Sequence, residues 1–118
     1  SEVGMLEPKR LLNILPFLLN LYPQIKHLKP ESSFANYWLL AGVPIENEAQ
    51  SIELLFLWIQ DPRSNITTKS RSIFVLVNFV EKYPDLKHEL TLNLEYLLDK
   101  HSISVTKHIK KILNQFNA

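Results

Sequence analysis

A chain of 118 residues with 46% hydrophobic residues and a net charge of +1 can bury a core and is too apolar to stay disordered. Two glycines are too few for an all-β chain built on tight turns or for a phosphate-cradling loop, and the lack of cysteine excludes disulfides and thiolate chemistry. The balance predicts one all-α domain over residues 1–118.

In chain order, the opening SEVGMLEPKR has no initiator methionine and no basic-then-apolar leader. It is read as the C-terminal part of a longer, cytoplasmic protein. A first helix is expected over residues 8–22, with Pro16 as the place for a kink, because it lacks a backbone donor and crowds the previous turn. Its apolar run LLNILPFLLNLY is too short for a membrane span and is broken by Asn13 and Pro16. Next, SSFANYWLLAG reads as a short helix capped by Ser32 or Ser33 and stopped by Gly42.

Residues 46–60 carry Ile52, Leu55, Phe56 and Ile59 on one stripe, widened by Leu54 and Trp58, until Asp61-Pro62 ends the helix. A helix so apolar on nearly every side should be deeply buried. Residues 65–82 present Ile66, Ile73, Val77 and Val80 at helical spacing, with Ser70 small enough for a close helix approach. Residues 84–98 follow with Leu86, Leu90, Leu94, Leu97 and Leu98, and residues 102–116 with Val105, Ile109, Ile112, Leu113 and Phe116. Short connections make consecutive helices antiparallel partners.

The hexapeptide YPQIKH at residues 22–27 returns as YPDLKH at residues 83–88, and the same shift of 61 aligns Leu12 with Ile73, Leu15 with Leu76 and Leu18 with Phe79. A second shift, 39, pairs Leu55 with Leu94, Trp58 with Leu97, Ile73 with Ile112 and Val77 with Phe116. Both fit one repeat of about 39 residues with an insertion of roughly 22 near residues 29–50. The hexapeptide is then a helix junction: Pro84 takes the first helical position, Asp85 favours the positive helix start, and Tyr22 and Tyr83 pack beneath the turn. The Lys-His pairs face solvent. A metal site on His27 and His88 is disfavoured by the neighbouring lysines and by the lack of a second ligand at i+4.

WIQDPRSNITTKSRSIF (residues 58–74) and LLDKHSISVTKHIKKIL (residues 97–113) resemble the HEAT-repeat pattern. The apolar pair ending the first helix is Trp58-Ile59 and then Leu97-Leu98; the turn is Asp61-Pro62, matched loosely by Asp99-Lys100. The second helix carries Ile66, Ser70 and Phe74, then Val105, Ile109 and Leu113. The basic residue that often follows the valine is Thr67 in one copy and Thr106 in the other, so a ladder of stacked Asp–Arg contacts is not expected. The resemblance implies an α-α superhelix of stacked hairpins that acts as a protein-binding scaffold, less often on nucleic acid. The chain is also similar to small bacterial HEAT-like proteins sometimes labelled adenylosuccinate lyase. The lyase loop has paired serines followed by Met-Pro and a lysine; here Ser32-Ser33 continues FANYW, and no lyase residue carries over.

No catalytic, cofactor or metal residue is assigned, since His27, His88, His101 and His108 fall among charged or polar neighbours on expected outer faces. The expected partner is a protein, with Phe34, Tyr37 and Trp38 of the inserted segment as candidate anchors; the competing view is that this segment caps its own core. Nucleic acid is the alternative partner. Lys107, Lys110 and Lys111, with Lys100, have no carboxylate among residues 100–118, and Tyr37, Trp38 or Trp58 would be the stacking partners. An exposed terminal repeat also offers a surface for a homodimer.

Overall fold

Proline starts the first helix where its missing N–H costs nothing, and the computed structural model, which describes residues 7–98 and 103–117, begins α1 at Pro8 (Pro8–Asn20). Then come α2 (Tyr22–Ile25), a 3-10 turn (Lys26–Leu28), α3 (Glu31–Ala41), a second 3-10 turn (Ile45–Asn47), α4 (Glu48–Gln60), α5 (Ile66–Lys82), α6 (Leu86–Leu98) and α7 (Ile103–Phe116). The described residues contain no strand, and none of their helices is long and apolar enough to cross a membrane. Asp99, Lys100, His101, Ser102 and the side chain of Val105, all named above, lie outside the described residues. The chain divides into two compact units between Val75 and Leu76, inside α5.

In the first unit, α1 buries Leu11, Leu15 and Leu19, a four-residue spacing that puts all three on one face, and runs through Pro16 without ending. It packs against α3, which buries Phe34, Ala35 and Trp38. The segment read as an insertion therefore supplies core. Its serines are not the cap: Pro30 is, and the Ser32 hydroxyl instead accepts a hydrogen bond from Arg71 Nη1 at 2.8 Å, joined by the Ser32 carbonyl at 3.2 Å. Inside a helix the Ser32 side chain faces a long neighbour, and that contact tethers α3 to α5.

Gly42 does stop α3, with φ 86° and ψ 177°. Side chains almost never adopt this backbone, although a Cβ at Gly42 would meet nothing within 4 Å. The cost of a substitution is therefore conformational and not steric. Gly42→Ala is expected to lower stability by about 1–3 kcal/mol in chemical denaturation, in spite of the open space.

α4 buries Ser51, Leu55, Phe56, Trp58 and Ile59, and the Ser51 hydroxyl donates to the Glu48 carbonyl at 2.9 Å. The helix is not buried all round, since Leu57 is 56% exposed. α5 starts under a cap in which the Thr68 N–H donates to Asn65 Oδ1 at 2.8 Å. It buries Thr68, Lys69, Ser72, Ile73, Val75, Leu76 and Phe79. The expected stripe holds at Ile73 and is otherwise out of phase: Ile66 is 51% exposed, Val77 and Val80 are half-buried, and Ser72, not Ser70, is the fully buried small residue. Polar and amphipathic side chains fill the interior there, and a count of apolar residues alone passes over them.

In the second unit, α6 buries Leu90, Leu94 and Leu97 and packs against α7, which buries Ile109 and Ile112. Leu86, Leu98, Leu113 and Phe116 are half-buried at its margin, where the Lys87 ammonium lies 5.6 Å from the centre of the Phe116 ring. Pro84 stands in the turn before α6 and is not its first helical residue, because the N–H groups of Leu86 and Lys87 donate to the carbonyls of Tyr83 and Pro84, each at 3.0 Å. Tyr83 stacks on Phe79 at 6.3 Å but stays 38% exposed.

Candidate functional site

The junction YPQIKH carries the chain from α1 into α2 and delivers Tyr22 onto two other helices. Its ring meets Phe34 of α3 edge-on at 5.9 Å and Trp58 of α4 at 6.1 Å. Phe34 touches Trp38 at 5.6 Å, and Trp38 stacks on Trp58 at 5.8 Å with 11° between the rings. Four aromatic rings thus join α2, α3 and α4 at geometries favourable beyond area burial.

Beside this cluster lies a cleft of about 590 Å³. Tyr22 and Trp58 line its aromatic side. Lys26, His27 and Lys29 come from the α2–α3 connection, and Glu31 and Ser32 from the start of α3; Asp61, Arg63, Ser64 and Asn65 come from the α4–α5 connection, and Thr68 from the first turn of α5. Asp61 accepts hydrogen bonds from the Arg63 backbone N–H at 2.9 Å and from its Nε at 3.2 Å. The backbone N–H first, and the guanidinium next, hold the Asp61 carboxyl below its ordinary value. Burial pushes the Lys69 ammonium below its ordinary value, opposed by the Asp61 charge. Lys29 takes the left-handed backbone, φ 54°, at the end of its 3-10 turn.

Burial raises the Tyr22 phenol above its ordinary value of 10.0, the Trp58 indole N–H pulls it back, and the Glu31 charge adds to the rise. A phenol held more firmly in the fold contributes stability that is whole below the unfolded value and is lost as pH climbs through the folded one. The first unit is therefore expected to lose stability as pH rises above 10.0, and Tyr22→Phe to shrink that alkaline loss. Denaturation of both proteins across the alkaline range measures it.

Trp58 is 3% exposed, and its indole nitrogen is sealed inside the fold with the Tyr22 hydroxyl beside it. Lys26 and Lys29 are exposed and make no ion pair among the described residues.

The anchors expected at Phe34 and Trp38 are corrected here: each is 3% exposed, so neither stands where a partner can reach it, and Tyr37 is half-buried. Nor are Trp38 and Trp58 available to stack on bases, since they stack on each other. Lys107, Lys110 and Lys111 are exposed and share one face of α7 with Asn114 around a shallow depression, as their spacing dictates. His27 and His88 are exposed as expected, whereas His108 is half-buried. Among the described residues no three His, Asp or Glu side chains group to hold a metal.

Sequence reasoning named Trp58 and the two connections without bringing them together. Only the fold sets residues 22–32 beside residues 57–68.

No family model, curated protein or solved structure matches this chain.

Proposed function

We propose that this chain is a non-catalytic interaction module, built of HEAT-like helical hairpins, that binds a protein partner in the cleft of its first unit. Repetition is supported by the phase of burial. Ser51, Leu55 and Trp58 are buried on α4 as Leu90, Leu94 and Leu97 are on α6, 39 residues later; Leu11 and Leu15 correspond likewise to Ser72 and Leu76 at the shift of 61. The single observation that carries binding is the cleft beside the aromatic cluster, lined by Lys26 and Lys29, two exposed lysines with no ion pair among the described residues. Catalysis is not favoured, because Asp61 is engaged with Arg63 and the Tyr22 phenol is held protonated.

A second reading, nucleic-acid binding, draws on the exposed lysine face of α7. A pull-down from lysate, with and without nuclease, at low and high salt, separates the two. The first reading expects one protein that survives nuclease and is lost from Lys26→Glu; the second expects nucleic acid that dissociates steeply as salt rises and is lost from Lys107→Glu.

A further inference from the structure

We infer that the outer face of α1 is an interface between two copies of this chain, laid antiparallel about a two-fold axis that passes between Ile14 and Phe17. The inference is independent of the cleft, since none of the residues it uses lines that site.

α1 packs on α3 with one face and leaves a second apolar stripe in the open. Ile14 is 36% exposed, Phe17 64% and Leu21 37%, and their spacing of three and then four residues is that of a seam for another helix. Apolar residues exposed singly mean little, but these three follow one another along a single face. The same phase is covered on α5: at the shift of 61, Ile14 corresponds to Val75 and Leu18 to Phe79, both buried, whereas Ile14 is exposed and Leu18 is half-buried. What α5 covers, α1 leaves open.

Symmetry points to a second copy as the occupant. A two-fold interface needs a patch that matches itself when reversed. Arg10, Ile14, Phe17 and Leu21 are spaced four, three and four, an order that reads the same in either direction. Reversing one copy therefore sets Ile14 against Phe17 of the other, Phe17 against its Ile14, and Arg10 against its Leu21.

Charge fixes the direction. Residues 11–25 carry no charge, so covering this face strands none and meets no repulsion along the seam. Lys9 and Arg10, with Glu7 beside them, stand together at the N-terminal end of α1 and are exposed. Parallel copies would crowd both pairs of cations at one end. Antiparallel copies carry each Arg10 to the C-terminal end of the other α1, where the helix dipole is negative, with its stem along Leu21. The seam from Ile14 to Leu21 is two turns, about 10 Å, so each copy buries well under the ~800 Å² per partner of a stable complex and the pair is a weak one.

The test is sedimentation equilibrium of the chain from about 10 µM to about 1 mM, the range in which so small an interface associates. The average mass is expected to climb from monomer toward dimer. Phe17→Glu, which replaces the most exposed apolar side chain of the seam, is expected to weaken the association about tenfold or more, with helix content by circular dichroism unchanged. Leu92→Glu, at an exposed apolar position on α6, is expected to leave it as it was. Orientation is read separately, because the chain has no cysteine of its own. Arg10→Cys and Leu21→Cys proteins are expected to form a disulfide when mixed and oxidised, and little when either is alone. A chain that stays monomeric at about 1 mM overturns the inference, as does a dimer that Phe17→Glu leaves intact or that Leu92→Glu abolishes equally. Disulfides formed by each cysteine variant alone, and not by the mixture, would show parallel copies and overturn the antiparallel arrangement.

Discussion

Trp58→Ala is expected to destabilise the protein by about 3–5 kcal/mol, the largest effect of any single substitution considered. Trp58 is 3% exposed and touches two other rings, Tyr22 at 6.1 Å and Trp38 at 5.8 Å, on helices that its removal would leave facing a cavity. Trp58→Phe keeps a ring between Tyr22 and Trp38, so it is expected to recover most of the loss. Trp38 and Trp58 are the only tryptophans, and both lie in the first unit, so tryptophan fluorescence reads that unit alone. Denaturant unfolding followed by fluorescence measures the ranking. Equal small losses in both variants would mean that the four-ring cluster does not hold α2, α3 and α4 together.

The second large effect belongs to the second unit. Leu94→Ala and Ile109→Ala are each expected to cost about 2–5 kcal/mol, since both side chains are 0% exposed on helices that pack together. Lys111→Ala, on the exposed face of the same α7, is expected to cost under about 0.5 kcal/mol. This unit has no tryptophan, so helix loss by circular dichroism is the appropriate signal. A Lys111 variant as unstable as the Ile109 variant would put the wrong face of α7 in the core.

Helix positions were legible in the sequence because the punctuation is local. Pro8, Asn65, Asp61-Pro62 and Gly42 each act on their own backbone, and every long helix lies within a few residues of its expected span. Stripes on α4, α6 and α7 were legible too, as runs of leucine and isoleucine at four-residue spacing. The phase of α5 was not. Burial of the Lys69 stem, Thr68 and Ser72 depends on what the neighbouring helices present, and hydropathy counts such residues as surface.

The role of α3 was hidden for a related reason. Phe34 and Trp38 look like exposed anchors when their segment matches no repeat, yet aromatic rings of that size gain more by packing against α1 and α4 than by facing water. The cleft was the least legible feature. Lys26 and Lys29 come from one stretch of the chain and Trp58 and Arg63 from another, and only the fold brings the two together.

The most direct test of the central claim is a comparison of partner capture by three proteins: the natural chain, a Lys26→Glu/Arg63→Ser variant and a Lys107→Ser/Lys111→Ser variant. The cleft reading predicts that the captured protein is lost from the first variant and kept by the second, with both variants as helical as the natural chain. Loss from the second and retention by the first would contradict it and move the binding surface to α7.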